Sequence, residues 1–133
     1  MTITTEFYNL IPTTDILFLE AYLSWDERVV NDLFSDLQLL TSKFYHNRPW
    51  AILTDATKWE LSTPEVVKLI SNPPILEIQT LTHHAVVTDG SGLKKWLINE
   101  MVMKEKKFET RFFQDVRLAE NWLIQSESVL YSA

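Results

Sequence analysis

The chain has 133 residues, no cysteine, two glycines and a formal net charge of −6. That length suits one domain, and 46% hydrophobic with 23% charged residues argues for a packed core over disorder. The missing cysteine excludes disulfides, thiol catalysis and thiolate metal sites, and Gly90 with Gly92 alone cannot build a P-loop or a G-x-G-x-x-G turn.

Phe7 to Ile11 and Ile16 to Leu23 alternate as two strands around the turn Pro12-Thr13-Thr14-Asp15. Ser24, with Glu27 three positions on, has the spacing of a capping box and predicts a helix start. Trp25, Val29, Leu33, Leu37, Leu40 and Phe44 then recur every three or four residues as an apolar stripe. Asp36 falls on the opposite face, where alanine is expected to change stability by less than about 0.5 kcal/mol. Pro49 limits the helix to His46 or Asn47.

Trp50 to Thr54 is a short apolar run of the kind found in a strand buried on both faces, with Asp55 at its carboxyl end. Ser62 and Glu65 have capping-box spacing and Pro64 suits a first helical turn, so a second helix is expected up to Asn72-Pro73-Pro74. His84 to Thr88 reads as a third buried strand, followed by the turn Asp89 to Gly92 and a helix carrying Leu93, Trp96, Leu97 and Met101. Phe108 to Phe113 alternates as a last strand. Asp115 caps a final helix with Val116, Ala119, Trp122 and Leu123. Strands alternating with helices predict an α/β fold: a mixed, mainly parallel sheet of about five strands with four helices and an N-terminal antiparallel hairpin.

The blocks KFETRFFQDVRLAENWLIQ, PWAILTDATKWELSTPEVV and HHAVVTDGSGLKKWL together resemble the SpoIIAA-like (STAS-like) family, above all through Ala119-x-x-Trp122-Leu123 after a strand ending in Phe112-Phe113. The resemblance implies a small α/β module across residues 1–133. It also implies regulation through protein contacts, binding of small apolar ligands, or membrane association. The family's anti-sigma-antagonist branch carries an Asp-Ser-Ser-Gly phosphorylation turn. The matching place here reads Leu61-Ser62-Thr63-Pro64, without the glycine, so Ser62 and Thr63 are phosphorylation candidates by position only.

Several constellations bear on function. Asp55, Asp89 and Asp115 each follow a strand, where open parallel sheets bind ligands, although turn and helix capping accounts for the last two. His83 and His84 are adjacent on a strand and point to opposite faces, so they cannot share a metal ion. Ser91 lacks the flanks of a nucleophile elbow, but the amides there, with Lys94 and Lys95, offer an anion site. Trp59 falls in the polar stretch Thr57-Lys58-Trp59-Glu60, and Trp96 shares a helix with Met101 and Met103; both are candidates for lining an apolar pocket or partner surface. Residues 1–40 hold seven acids against Arg28 alone, which is the whole surplus, while residues 94–111 are locally basic. That balance argues against nucleic acid and allows a second copy as partner.

The sequence therefore predicts a non-enzymatic binding or regulatory module. It would act through a protein partner or a small apolar or anionic ligand, at a concave site shared by Asp55, Trp59, Ser91, Lys94, Lys95 and Trp96, with no cofactor and no metal. The alternatives are a small enzyme using Asp55 in a strand-end cleft, and a peripheral membrane protein touching the surface through Trp59, Trp96 and the basic stretch. No apolar run approaches the roughly 20 residues of a membrane span and Met1 to Ile11 lacks a signal-peptide pattern, so a cytoplasmic location is expected.

Overall fold

Tyr8, Leu10, Leu17, Leu19 and Ala21 all turn to one side of a hairpin, and that alternation builds the first layer of core. The computed structural model describes residues 1–60, 63, 65–66, 80–90, 92 and 108–132. Its elements are β1 (Ile3–Thr4), β2 (Tyr8–Pro12), β3 (Ile16–Leu23), α1 (Glu27–Phe44), β4 (Trp50–Trp59), β5 (Leu81–Val87), β6 (Glu109–Phe113) and α2 (Val116–Ser132). The six strands form one sheet in the order of the sequence. β1, β2 and β3 pair antiparallel, while β3, β4, β5 and β6 pair parallel.

The expected α/β class and mixed sheet are therefore present, but the count of five strands and four helices is not. The described residues form six strands and two helices. β1 is two residues long, too short to leave a periodic signal. The second and third expected helices fall almost wholly outside the described residues; in the second only Thr63, Glu65 and Val66 are described, the last two helical, and Gly92, expected to end the turn before the third, is helical.

α1 covers one face of the sheet. Val29, Val30, Leu33, Phe34 and Leu40 pack with Leu10, Leu17, Leu19, Trp50 and Val86 in one cluster, which Val66 also joins. α2 covers the other face over β4 and β5, where Ala119 and Leu123 meet Ala51, Leu53, Ala85 and Val87. Helix ends show which capping signals were read correctly. Asp115 Oδ1 accepts from the Arg117 amide at 2.7 Å, as expected of an N-cap. The cap of α1 is Asp26, whose Oδ1 accepts from the Val29 amide at 3.0 Å, and not Ser24. Trp25 explains the delay: it is buried ahead of the helix, and its Nε1 donates to the carbonyls of Phe7 and Tyr22.

Asp36 departs from the solvated role expected of it, because its Oδ2 accepts from the Tyr8 hydroxyl at 2.6 Å. At the other end of α1, Tyr45 stacks on Trp50 with ring centroids 4.7 Å apart. The Tyr45 hydroxyl donates to the Thr13 carbonyl at 2.6 Å, fastening the hairpin turn to the helix end.

Candidate functional site

The sites expected of Asp55 and Trp59 separate in the structure. β4 does not stop at Thr54 but runs on to Trp59, so Asp55 is inside a strand and not at its carboxyl end. Between Glu20 and Tyr22 of β3, the partner strand β4 advances from Asp55 to Lys58, which is a bulge. Asp55 Oδ1 braces it, accepting from the Thr57 amide at 3.0 Å and from the Thr57 hydroxyl at 2.7 Å.

The extra residue turns Trp59 inward. It is 4% exposed, in the core on the α1 side, and packs edge-on against Trp25 with centroids 6.0 Å apart. The expectation of Trp59 in a polar loop is corrected accordingly: the polar stretch belongs to β4, which carries Trp59 as its last residue. Asp55 points to the opposite face, since Thr54 and Ala56 on either side of it face α1. The two side chains do not border one concave site.

Around Asp55, on the α2 side and toward β2, lies a polar group that was not foreseen. Glu20 Oε1 accepts from Asn9 Nδ2 at 3.0 Å and from the Tyr22 hydroxyl at 3.2 Å. Lys58 Nζ sits 6.0 Å above the Tyr22 ring. Burial, then the Glu20 carboxylate, holds the Tyr22 phenol above its ordinary range. The signal was available, for Glu20 and Tyr22 flank Ala21, which faces the core. Asp55 spends one oxygen on the bulge and has Glu20 as its cross-strand neighbour.

Ser62, Ser91, Lys94, Lys95 and Trp96 lie outside the described residues. Thr63 is described: it is exposed, and its Oγ1 accepts from the Val66 amide at 3.4 Å, a helix-cap contact. Among the described residues no three His, Asp or Glu side chains cluster to hold a metal ion, and no helix is long and apolar enough to cross a membrane.

His83 and His84 do point to opposite faces. His83 faces α2, edge-on to Trp122 at 5.3 Å and with Nε2 3.6 Å from Glu109. Burial lowers its pKa, against the pull of Glu109. His84 faces the α1 side and is 9% exposed. Its Nε2 lies 2.9 Å from Thr54 Oγ1, and its ring meets Phe108 edge-on at 6.1 Å. Its Nδ1 is buried and has no hydrogen-bond partner among the described residues. Burial alone pushes its pKa down to about 4, so the ring is neutral at pH 7. Ile52 and Thr110 flank it in the neighbouring strands, and Val86 follows on the same face. Sequence reading treated His84 only as a rejected metal ligand, because nothing in the pattern tells which strand position lacks a partner across the layer.

These features define a small α/β domain, a mixed sheet with one described helix on each face. Its fold is the SpoIIAA-like fold. The chain superimposes on the crystal structure of an uncharacterised protein of the DUF3478 family with a SpoIIAA-like fold, from Shewanella loihica PV-4, with a TM-score of 0.57 and 19% sequence identity. The match covers 91% of this chain and 98% of that one. No family model and no curated protein matches the chain. The resemblance read from the closing strand and helix holds at the level of the fold.

Proposed function

We propose that this chain is a non-enzymatic binding module that holds a small, largely apolar and uncharged ligand against the α1 side of β4 to β6. The observation that carries this reading is His84, nine-tenths buried with Nδ1 lacking a partner among the described residues. Leaving a buried polar atom unpaired costs about 1–3 kcal/mol, a cost that a hydroxyl or carbonyl of a ligand would remove. The surroundings are apolar, with Ile52, Val86, Phe108 and Phe112 in the same layer; Thr54 Oγ1 meets the ring at Nε2, and Thr110 is the neighbour in β6.

The ligand's polar end is neutral on this reading. Burial alone depresses the His84 pKa, with no charged group acting on it, and an ionised ligand there would itself be an unpaired buried charge. An apolar ligand is favoured over the anionic one for that reason.

The test is mass spectrometry of the natively purified protein and of its organic extract, with His84→Phe in parallel. One neutral molecule per chain, absent from the folded His84→Phe variant, is the expected result. An empty protein, or a ligand retained by the variant, would overturn the reading.

A further inference from the structure

The two ring nitrogens of His84 have different surroundings. Nε2 lies 2.9 Å from Thr54 Oγ1, and Nδ1, at the other side of the ring, is buried with no partner among the described residues. The ring is neutral at pH 7, so one nitrogen carries the proton and the other a bare lone pair. The Thr54 contact can therefore run in either direction, and its direction decides what Nδ1 presents.

With the proton on Nε2, the ring donates to Thr54 Oγ1. The Thr54 hydroxyl then needs an acceptor for its own hydrogen, yet His84 is the partner it has among the described residues. Two groups go unmet, that hydrogen and the Nδ1 lone pair. With the proton on Nδ1, the Thr54 hydroxyl donates to Nε2 and the Nδ1 N–H alone goes unmet. Buried polar groups are paired wherever the fold allows, so the second arrangement is the favoured one.

We infer that Thr54 fixes His84 in the Nδ1–H form, and that the ligand of this site is a neutral carbonyl compound (a ketone, ester or amide) whose oxygen accepts from Nδ1. The inference rests on the ligand reading of the preceding subsection and narrows it. A carbonyl oxygen accepts and brings no hydrogen of its own. An alcohol brings one, and the side chains of Ile52, Val86 and Phe108 offer it no acceptor. Among the described residues its outlet would be Thr110, opposite His84 in β6. Thr54 is a positioning residue on this account, since it holds the ring at Nε2 while the ligand binds at Nδ1.

Long-range proton–nitrogen correlation NMR of the full chain reads the tautomer, with methyl hexyl ketone and the alcohol of the same skeleton as probes. The wild type should show a protonated Nδ1 and a bare Nε2. The ketone should bind at least about tenfold tighter than the alcohol. Thr54→Val removes the hydroxyl, so the ring should show both tautomers and the ketone should lose its advantage, whereas Thr54→Ser should keep both properties. Thr110→Val should leave the preference for the ketone in place. A proton on Nε2 of the wild type would overturn the inference and leave the site reading standing, because a donor ligand would then fit. Equal binding of ketone and alcohol would overturn it as well. If neither probe perturbs the His84 ring, the site reading falls and the inference falls with it.

Discussion

The Tyr8 hydroxyl and the Asp36 carboxylate meet at 2.6 Å, joining β2 to the middle of α1. Tyr8 is 1% exposed, so removing its acceptor strands a buried hydroxyl. Asp36→Ala should therefore destabilise by about 1–3 kcal/mol in urea titration, where Asp36→Asn, which keeps an acceptor, should cost less. A neutral Asp36→Ala would mean the contact is spent in water.

The same pair sets an alkaline limit. Burial, then the Asp36 hydrogen bond and charge, raises the Tyr8 pKa above its ordinary value. The unfolded chain then loses this proton first, and stability falls as pH rises past about 10. Tyr8→Phe should flatten that part of the curve, measured by thermal unfolding between pH 8 and 11.

His84 sets the acid limit. Its pKa is about 4 in the folded protein, below the ordinary histidine value near 6.5, so the unfolded chain binds the proton more readily. The stability it contributes is complete above pH 6.5 and is lost as pH falls toward 4, by up to about 3 kcal/mol. Urea midpoints at pH 7 and pH 5 should separate in the wild type and draw together in His84→Phe.

Asp55 is expected to behave as a brace. Asp55→Ala leaves the Thr57 amide without its acceptor and should cost about 1–2 kcal/mol, whereas Asp55→Asn retains an oxygen at Oδ1 and should be milder. Hydrogen exchange at the Thr57 amide reads the difference locally.

Trp59→Ala should cost about 3–5 kcal/mol, because it opens a cavity beside Trp25 in the main cluster. Thermal unfolding followed by far-UV circular dichroism measures it, and a loss below about 1 kcal/mol would place Trp59 outside the core.

The strands, α1 and the Asp115 cap were legible because each depends on local spacing: alternation for Leu17, Leu19 and Ala21, three-and-four recurrence for Val29, Leu33 and Leu40. Asp55 and Trp59 were misplaced together because the polar run after Thr54 reads as a loop, whereas β4 continues through it and a bulge beyond Asp55 turns Trp59 to the core. Asp36 and His84 escaped for another reason. Whether a polar side chain meets a partner or an apolar wall is decided by a residue about thirty positions away, Tyr8 for one and Thr54 for the other. Periodicity carries no record of that.

The sheet order has a kinetic consequence. Every described strand pairs with its sequence neighbour, so a chain leaving the ribosome never has to open an existing pair to admit a later strand. β1 to β3 can zip as a meander, α1 then shields their apolar face, and β4, β5 and β6 dock in turn on the edge left by the strand before. Assembly by accretion leaves one growing margin at each stage. Pulse-labelled hydrogen exchange during refolding should accordingly show protection spreading from β3 toward β6, with the amides of β6 the last to be shielded.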